Sequence, residues 1–412
     1  VPDTRAPQRI RYSRACLSWL GWLVFLLKLG ARRQVRFELN TPQALANVNR
    51  LCGQDYPTLA HSDTREHFLG HVPPGGYHRL RRRMIRRLLR MKVLDDARLF
   101  GHVLIVIDGT GQLTFRQRHG PHGLEQTVGG QKRYYHPVLE AKLVTPGGRV
   151  LSVGSEFSAH IDPPASKQDC ELKAFGRLAE QLDRDFPQLH IGLGLDALYA
   201  NGTVLEICAQ HHWKYLITFK PGSLPALWQE YQTLRQLCPQ NRLVRQPPHG
   251  PRPTFAWVSD LEHRDDQNRL HRCHAFECQE QAGDTTRYFA WLTNFTLRAE
   301  NVAALANRGG RLRWKIENEG FNIQKNGGFN LEPAYSTQPG TIQNWYLLLQ
   351  IAHLILQLLE RGNLLGQAAT RLFGSLRNLA KRLSESLRNH RIPADALDPS
   401  ACQAIQIRLN SS

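Results

Sequence analysis

Val103-Leu104-Ile105-Val106-Ile107-Asp108-Gly109 is a run of five apolar residues that ends on an acid and a glycine. A short, unbroken apolar run is the pattern of a strand buried on both faces, because a half-exposed strand alternates. A carboxylate at its end, if buried, is costly unless a partner or a metal ion compensates it. Ile191-Gly192-Leu193-Gly194-Leu195-Asp196 repeats the arrangement. Ligand groups of α/β sheets gather at strand ends, so two adjacent strands of this kind could bring both carboxylates together. Their mutual repulsion would then be relieved by a divalent cation. The plainer alternative is that each aspartate caps a turn, and Asp108-Gly109 is good turn chemistry.

Outward from this run the pattern predicts a mixed α/β sheet. Residues 136–145 and 149–157 read as two strands joined by the turn Pro146-Gly147-Gly148, and 167–186 has helical periodicity. Then come a strand at 190–200, a helix at 202–211 and a strand at 215–220. Between 221 and 298 the order breaks at the proline-rich loop 247–253, followed by β-like segments at 254–261, 271–278 and 287–295. Helical signals resume near Ala299 and run to about Asn389, basic again at Arg371, Arg377, Lys381, Arg382 and Arg388. The expected organisation is a basic helical region at 1–95, an α/β core at 96–220 and 299–345, a β-rich insertion at 221–298, and a helical C-terminal region at 346–412.

The charge balance indicates the partner. Among 412 residues, 53 Lys and Arg face 35 Asp and Glu, a net charge of +18 that favours a polyanion through phosphate neutralisation and counterion release. Residues 79–92 hold eight cations and no acid, and Leu80, Met84, Leu88 and Met91 recur at helical spacing. This predicts a helix with one apolar stripe and cationic faces lying along DNA phosphates through Arg81, Arg82, Arg83, Arg86, Arg87 and Arg90; a solvated basic face is the plainer reading. Anionic membrane is the competing partner, but the apolar run 17–29 is interrupted by Lys28 and falls short of the ~20 residues of a span. Residues 346–359 contain Gln350, His353 and Gln357, and both runs read as buried helices.

The eight cysteines form no CxxC pair, which fits free thiols in a reducing cytoplasm. His271, Cys273, His274 and Cys278 suggest zinc, yet strand alternation puts Cys273 and His274 on opposite faces, so a tetrahedral site would need further ligands.

A third acid lies on a predicted helix. In Arg313-Trp314-Lys315-Ile316-Glu317, Arg313 and Glu317 are four residues apart and share a face, whereas Glu319 does not. By itself this is the spacing of a surface ion pair. The segment 313–325, however, resembles the glutamate region of bacterial insertion-sequence DDE transposases, in the branch with a Tyr-Arg-Glu-Lys signature. The segments around Asp108 and Asp196 are similar to that family's two aspartate motifs. The resemblance spans about residues 100–345 in the right order. Its Arg-Trp-x-Ile-Glu element is fairly specific, and its aspartate motifs are weak alone. Two departures stand out: Gly310 occupies the place of the signature tyrosine, and seven residues rather than six separate Glu317 from Lys325, so that Gln324 stands where the lysine is expected.

The resemblance implies a ribonuclease-H-like mixed sheet flanked by helices, with a β insertion between the second aspartate and the glutamate. It implies that Asp108, Asp196 and Glu317 bind two Mg²⁺ or Mn²⁺ ions and that Arg313 and Lys325 contact phosphates. The partners implied are double-stranded DNA, as terminal repeats and target, and a homodimer on paired ends, in a bacterial, nucleoid-associated setting with no membrane. Trp257 and Trp291 lie in the insertion, where an aromatic could stack on a displaced base, with packing the plainer role. The alternatives are a metal-dependent nuclease on the same fold without strand transfer, and a catalytically inactive DNA-binding derivative.

Overall fold

In the computed structural model, the run at 103–107 lies inside a strand paired on both sides. The structure describes residues 5, 6, 8, 10–117, 124–128, 130–157, 167–247, 250–332, 335–361 and 369–397. The strands are β1 (Arg98–Leu99), β2 (His102–Phe115), β3 (Leu124–Val128), β4 (Gln131–Val144), β5 (Val150–Phe157), β6 (Ile191–Leu195), β7 (Lys214–Thr218), β8 (Arg242–Val244), β9 (Arg252–Arg264), β10 (Leu270–Ala282) and β11 (Thr285–Thr293). They form one 11-stranded mixed sheet, in the order β3-β4-β2-β6-β7-β11-β10-β9-β8, with β5 on β4 and β1 on β2. The pairs β2–β6 and β6–β7 are parallel, while β2–β4, β4–β5 and β7–β11 are antiparallel.

The helices before the sheet are α1 (Arg14–Leu26), α2 (Gln34–Glu38), α3 (Pro42–Cys52), α4 (Ser62–His71) and α5 (Gly75–Arg90). Within and after it come α6 (Lys167–Asp185), α7 (Gly202–Gln210), α8 (Pro225–Leu237), α9 (Val302–Asn307), α10 (Ile323–Asn326), α11 (Pro339–Arg361), α12 (Ala369–Phe373) and α13 (Leu376–Asn389). Alternation along β2 divides its side chains between two layers. Ile105 and Ile107 pack with Ile85 and Leu88 of α5 and with Phe175 and Leu178 of α6. Leu104 and Val106 face the other way, onto Leu312, Ile316 and Phe321. A separate core joins α1 to α11 through Leu17, Leu20, Leu348 and Ile351.

The β-rich segment is continuous with the main sheet, since β11 pairs with β7 and carries β10 and β9 outward. It also contains α8, where the sequence pattern had suggested only irregular chain and strands. The apolar stripe of α8 is thin, with Leu227 and Tyr231 fully buried.

The stripe on α5 is rotated from the expected one. Tyr77, Arg81, Ile85 and Leu88 are fully buried, while of the expected stripe Leu88 is buried, Leu80 and Met84 pack partly buried at the core's edge and Met91 is half-buried. Arg81 takes an apolar position because polar partners await it: its guanidinium donates to Ser152 Oγ at 2.8 Å and Ser155 Oγ at 2.6 Å. Both serines donate in turn to Glu140.

One described helix, Gly340–Arg361 within α11, is long and apolar enough to cross a membrane, but 83% of its apolar window is packed inside the molecule. Its contact with α1 is close at Gly21, where a Cβ would stand 2.9 Å from Leu348 Cδ1. Gly21→Val should therefore wedge the two helices apart and cost about 1–3 kcal/mol, the usual range for overpacking. Urea unfolding would measure it, and an unchanged midpoint would count against this contact.

Candidate active site

Parallel pairing sets the first two carboxylates side by side. Val103 pairs with Ile191 and Val106 with Gly194, so extending that register by two residues brings Asp108 level with Asp196. Adjacent strands lie about 4.8 Å apart, which is why strand ends collect charged groups. Both aspartates also do the local work of turn residues. Asp108 Oδ1 accepts from the Gly109 N–H at 2.9 Å, and Asp196 Oδ1 accepts from the Leu198 N–H at 2.9 Å, capping the 3₁₀ turn Ala197–Tyr199. Capping and convergence thus occur together.

Glu317 arrives from a third segment. A 3₁₀ turn, Gly310–Trp314, leads into a π-helical turn, Ile316–Asn322, and then into α10. Leu312, Ile316 and Phe321 anchor this segment on Leu104 and Val106 of β2. That packing holds Arg313 beside Asp108, midway along β2. Its Nη1 meets Asp108 Oδ2 at 3.2 Å and its Nη2 meets Glu317 Oε1 at 2.9 Å. Among the described residues no three His, Cys, Asp or Glu side chains form an assembled metal-binding group. Asp108 and Glu317 are instead bridged by the guanidinium.

Electrostatics shows the closeness of the three acids. Burial pushes the Asp108 carboxyl up to about 7; Arg313 pulls it down, and the charges of Glu317 and Asp196 push it up further. A largely buried carboxylate with a strongly shifted proton affinity and a specific charged partner is a frequent feature of functional sites. Glu171 of α6 is a fourth acid here that the sequence did not single out. Its Oε1 lies 3.2 Å from where a Cβ on Gly109 would sit, and it accepts from Tyr199 Oη at 2.9 Å. It shows no motif, only a place near the start of an amphipathic helix.

Local winding and packing set the positions of Lys325, Gln324 and Gly310. A π turn takes one residue more than an α turn, because its hydrogen bonds close on i+5 rather than i+4. The turn at 316–322 therefore absorbs the additional residue between Glu317 and Lys325. Lys325 emerges at the surface, where its Nζ pairs with Glu332 Oε1 at 2.9 Å. Gln324 is turned fully inward, donating to Gln350 Oε1 at 2.8 Å and bonding His353 Nδ1 at 2.9 Å. At the other departure, a Cβ on Gly310 would lie 2.2 Å from Nε1 of Trp291, so the indole fills the space that a tyrosine would need. Arg311 holds the same turn to the β10–β11 hairpin, through Glu280 at 2.7 Å and over the Phe289 ring at 4.5 Å.

Behind the carboxylates lies a buried polar network. Glu140, paired across from Asp108, accepts from Ser152, Ser155 and, at 2.9 Å, Tyr346 Oη. Lys142 donates to Gln350 at 3.2 Å and sits over the Phe321 ring, and burial pushes its ammonium down to about 8. These bonds tie β4 and β5 to α5 and α11, so the floor of the site is fixed from two helices. Such networks rigidify most when every member is satisfied, and here Arg81 Nε is buried without a hydrogen-bond partner among the described residues.

Other expected residues are placed differently. Arg81 is 1% exposed and belongs to that network, so it is removed from the DNA-facing set. Arg82 and Arg86 hold the end of α6, the first by an ion pair with Asp185 at 2.8 Å and the second by donating to the Asp185 carbonyl. Arg83, Arg86, Arg87 and Arg90 are exposed on α5. Trp257 and Trp291, at 6% and 3% exposure, are core residues packed around Phe276 and Phe289, which leaves packing as their role. The His/Cys run divides as alternation requires. Cys273 and Cys278 are buried, His271 Nε2 pairs with Asp265 at 2.9 Å, and His274 Nδ1 accepts from the Asp260 N–H at 3.0 Å. No protein-family model matches the chain, and no curated protein matches it significantly.

The Asp108 environment has a measurable consequence. An aspartate in the unfolded chain titrates near 4, whereas folding raises this one to about 7. As pH rises from about 4 to 7 the unfolded state loses the proton first, so stability falls across that window and the penalty is complete above it. Asp108→Asn should thus stabilise the protein above pH 7 in the presence of a chelator, on the order of 2–4 kcal/mol, and have little effect at pH 4. Thermal melts at both pH values test this; equal shifts at both would contradict it. Gly310→Tyr, which brings the residue closer to the signature, should destabilise the fold by about 1–3 kcal/mol or more through its collision with Trp291. The unfolding midpoint of that variant is the check.

Proposed function

We propose that this chain is a DNA transposase that cleaves and joins DNA strands by metal-dependent phosphoryl transfer on a ribonuclease-H-like core. One observation carries the reading: the parallel β2–β6 register brings Asp108 level with Asp196, and Arg313 links Asp108 to Glu317, so that three acids far apart in sequence lie in one neighbourhood, though not as an assembled metal-binding group among the described residues. The sheet supports it, since β5-β4-β2-β6-β7 has an antiparallel beginning and a parallel continuation, with Asp108 and Asp196 each two residues past the last parallel pair, Val106 and Gly194, while β2 itself runs on to Phe115. The sequence resemblance of the 313–325 segment supports it as well, and the net charge of +18 suits a nucleic acid substrate.

The donor set fits a hard divalent cation, because all three groups are carboxylates and their repulsion is only partly offset by one guanidinium. Asp108, Asp196 and Glu317 would hold Mg²⁺ or Mn²⁺. Two such ions would activate the attacking oxygen and stabilise the leaving oxygen of an in-line displacement. The residues of the chain supply placement. Arg313 and Lys325, each paired to acids in the free protein, would offer cations to backbone phosphates, and the exposed Arg83, Arg86, Arg87 and Arg90 of α5 extend the basic surface. The substrate is double-stranded DNA, as the ends of a mobile element and its target, brought together by a homodimer.

The test is a strand-transfer assay with the terminal sequences that flank the coding region and a supercoiled target. Wild type should join ends, and Asp108→Ala, Asp196→Ala and Glu317→Ala should each lower cleavage by about a thousandfold or more while retaining DNA binding in gel shifts. Cleavage without joining would indicate a nuclease. Activity unaffected by Asp108→Ala would leave only a DNA-binding role.

A further inference from the structure

The position of Arg313 suggests more than a phosphate contact. Its two terminal nitrogens are divided between carboxylates from different elements, Asp108 on β2 and Glu317 on the π turn. Both acids spend an oxygen on it, and Asp108 spends its other oxygen on the Gly109 N–H. A cation shared by Asp108 and Glu317 has to compete with that guanidinium. Arg313 is also the member of the cluster able to leave. Its side chain is 22% exposed and stands on a short 3₁₀ turn beside Trp314, which is 48% exposed, with the Lys315 ammonium 5.5 Å from the indole centroid. Lys315 is itself paired with Glu319 at 2.8 Å, so Trp314 is the exposed face there, an aromatic beside which a nucleic acid backbone can offer Arg313 a phosphate in exchange for the carboxylates.

We propose that Arg313 is a resident counter-cation of the site, and that its transfer to a DNA phosphate releases Asp108 and Glu317 to a divalent ion. DNA and metal therefore bind with positive coupling, and the carboxylates remain closed to metal until a strand is in place. The inference rests on the metal-binding reading above. Coupling of this kind is reciprocal: if DNA tightens metal binding, metal tightens DNA binding by the same factor.

Mn²⁺ binding to the full chain, followed by loss of the free-ion paramagnetic resonance signal, separates the possibilities without relying on activity. Titrations would be run with and without a random-sequence duplex, with Asp108→Asn as the background for Mn²⁺ held by DNA or elsewhere on the protein. Wild type should gain about ten- to a hundredfold in Mn²⁺ affinity when duplex is added. Arg313→Gln should bind Mn²⁺ more tightly than wild type without DNA, and gain little from the duplex. Arg313→Lys, with a single point charge in place of the fork, should lie between them and guards against a fold defect in the glutamine variant. Equal Mn²⁺ affinity of wild type, Arg313→Gln and Arg313→Lys without DNA would overturn the proposal while leaving the metal site standing. Identical titrations of wild type and Asp108→Asn in every condition would remove the metal site itself, and this inference with it.

Discussion

Like charges at the end of one parallel strand pair are the constraint around which this molecule is arranged. Because β2 and β6 pair in parallel with Val106 beside Gly194, Asp108 and Asp196 come level just beyond that pairing, where β6 ends and β2 continues to Phe115. Glu317 is then brought to the same place by apolar anchoring of its segment on β2. Burial makes the repulsion costly, and the raised proton affinity of Asp108 reflects that cost. Folding tolerates it in part because Arg313 offsets some of the charge.

Surrounding elements hold the site from three directions. The hairpin of β10 and β11 joins the main sheet at β7 and presses Trp291 onto Gly310, while Arg311 reaches back to Glu280. The insertion thereby fixes the turn that carries Arg313. Below, the Glu140–Arg81–Tyr346 cluster ties the central strands to α5 and α11. On the far side, α6 places Glu171 against the Gly109 backbone. A displacement of any one of these would shift a carboxylate by a fraction of its separation from the others, and electrostatic energy is steep at such distances.

Legibility in the sequence followed the range of the forces. The strand at 103–107, the turn at 146–148 and the helix at 202–211 were readable because their apolar spacing and turn residues are local. Arg81 was misread as a surface cation because nothing nearby in sequence announces Glu140, Ser152 and Ser155 as its partners. The stripe of α5 was displaced by about one residue for the same reason. Trp291 looked like a candidate for stacking on a base until its indole was found against Gly310. Glu171 was invisible, since one acid on an amphipathic helix has no distinguishing pattern.

The sequence by itself determined the mixed α/β architecture, the cationic excess and the three acids worth watching, since periodicity, composition and acids placed after apolar runs are properties of the linear chain. Only the tertiary structure decided that Asp108 comes level with Asp196, that one arginine spans Asp108 and Glu317, and that a π turn leads from Glu317 toward Lys325. Strand register and helix winding are settled by packing between distant segments, and no local pattern encodes which residues that packing will bring face to face.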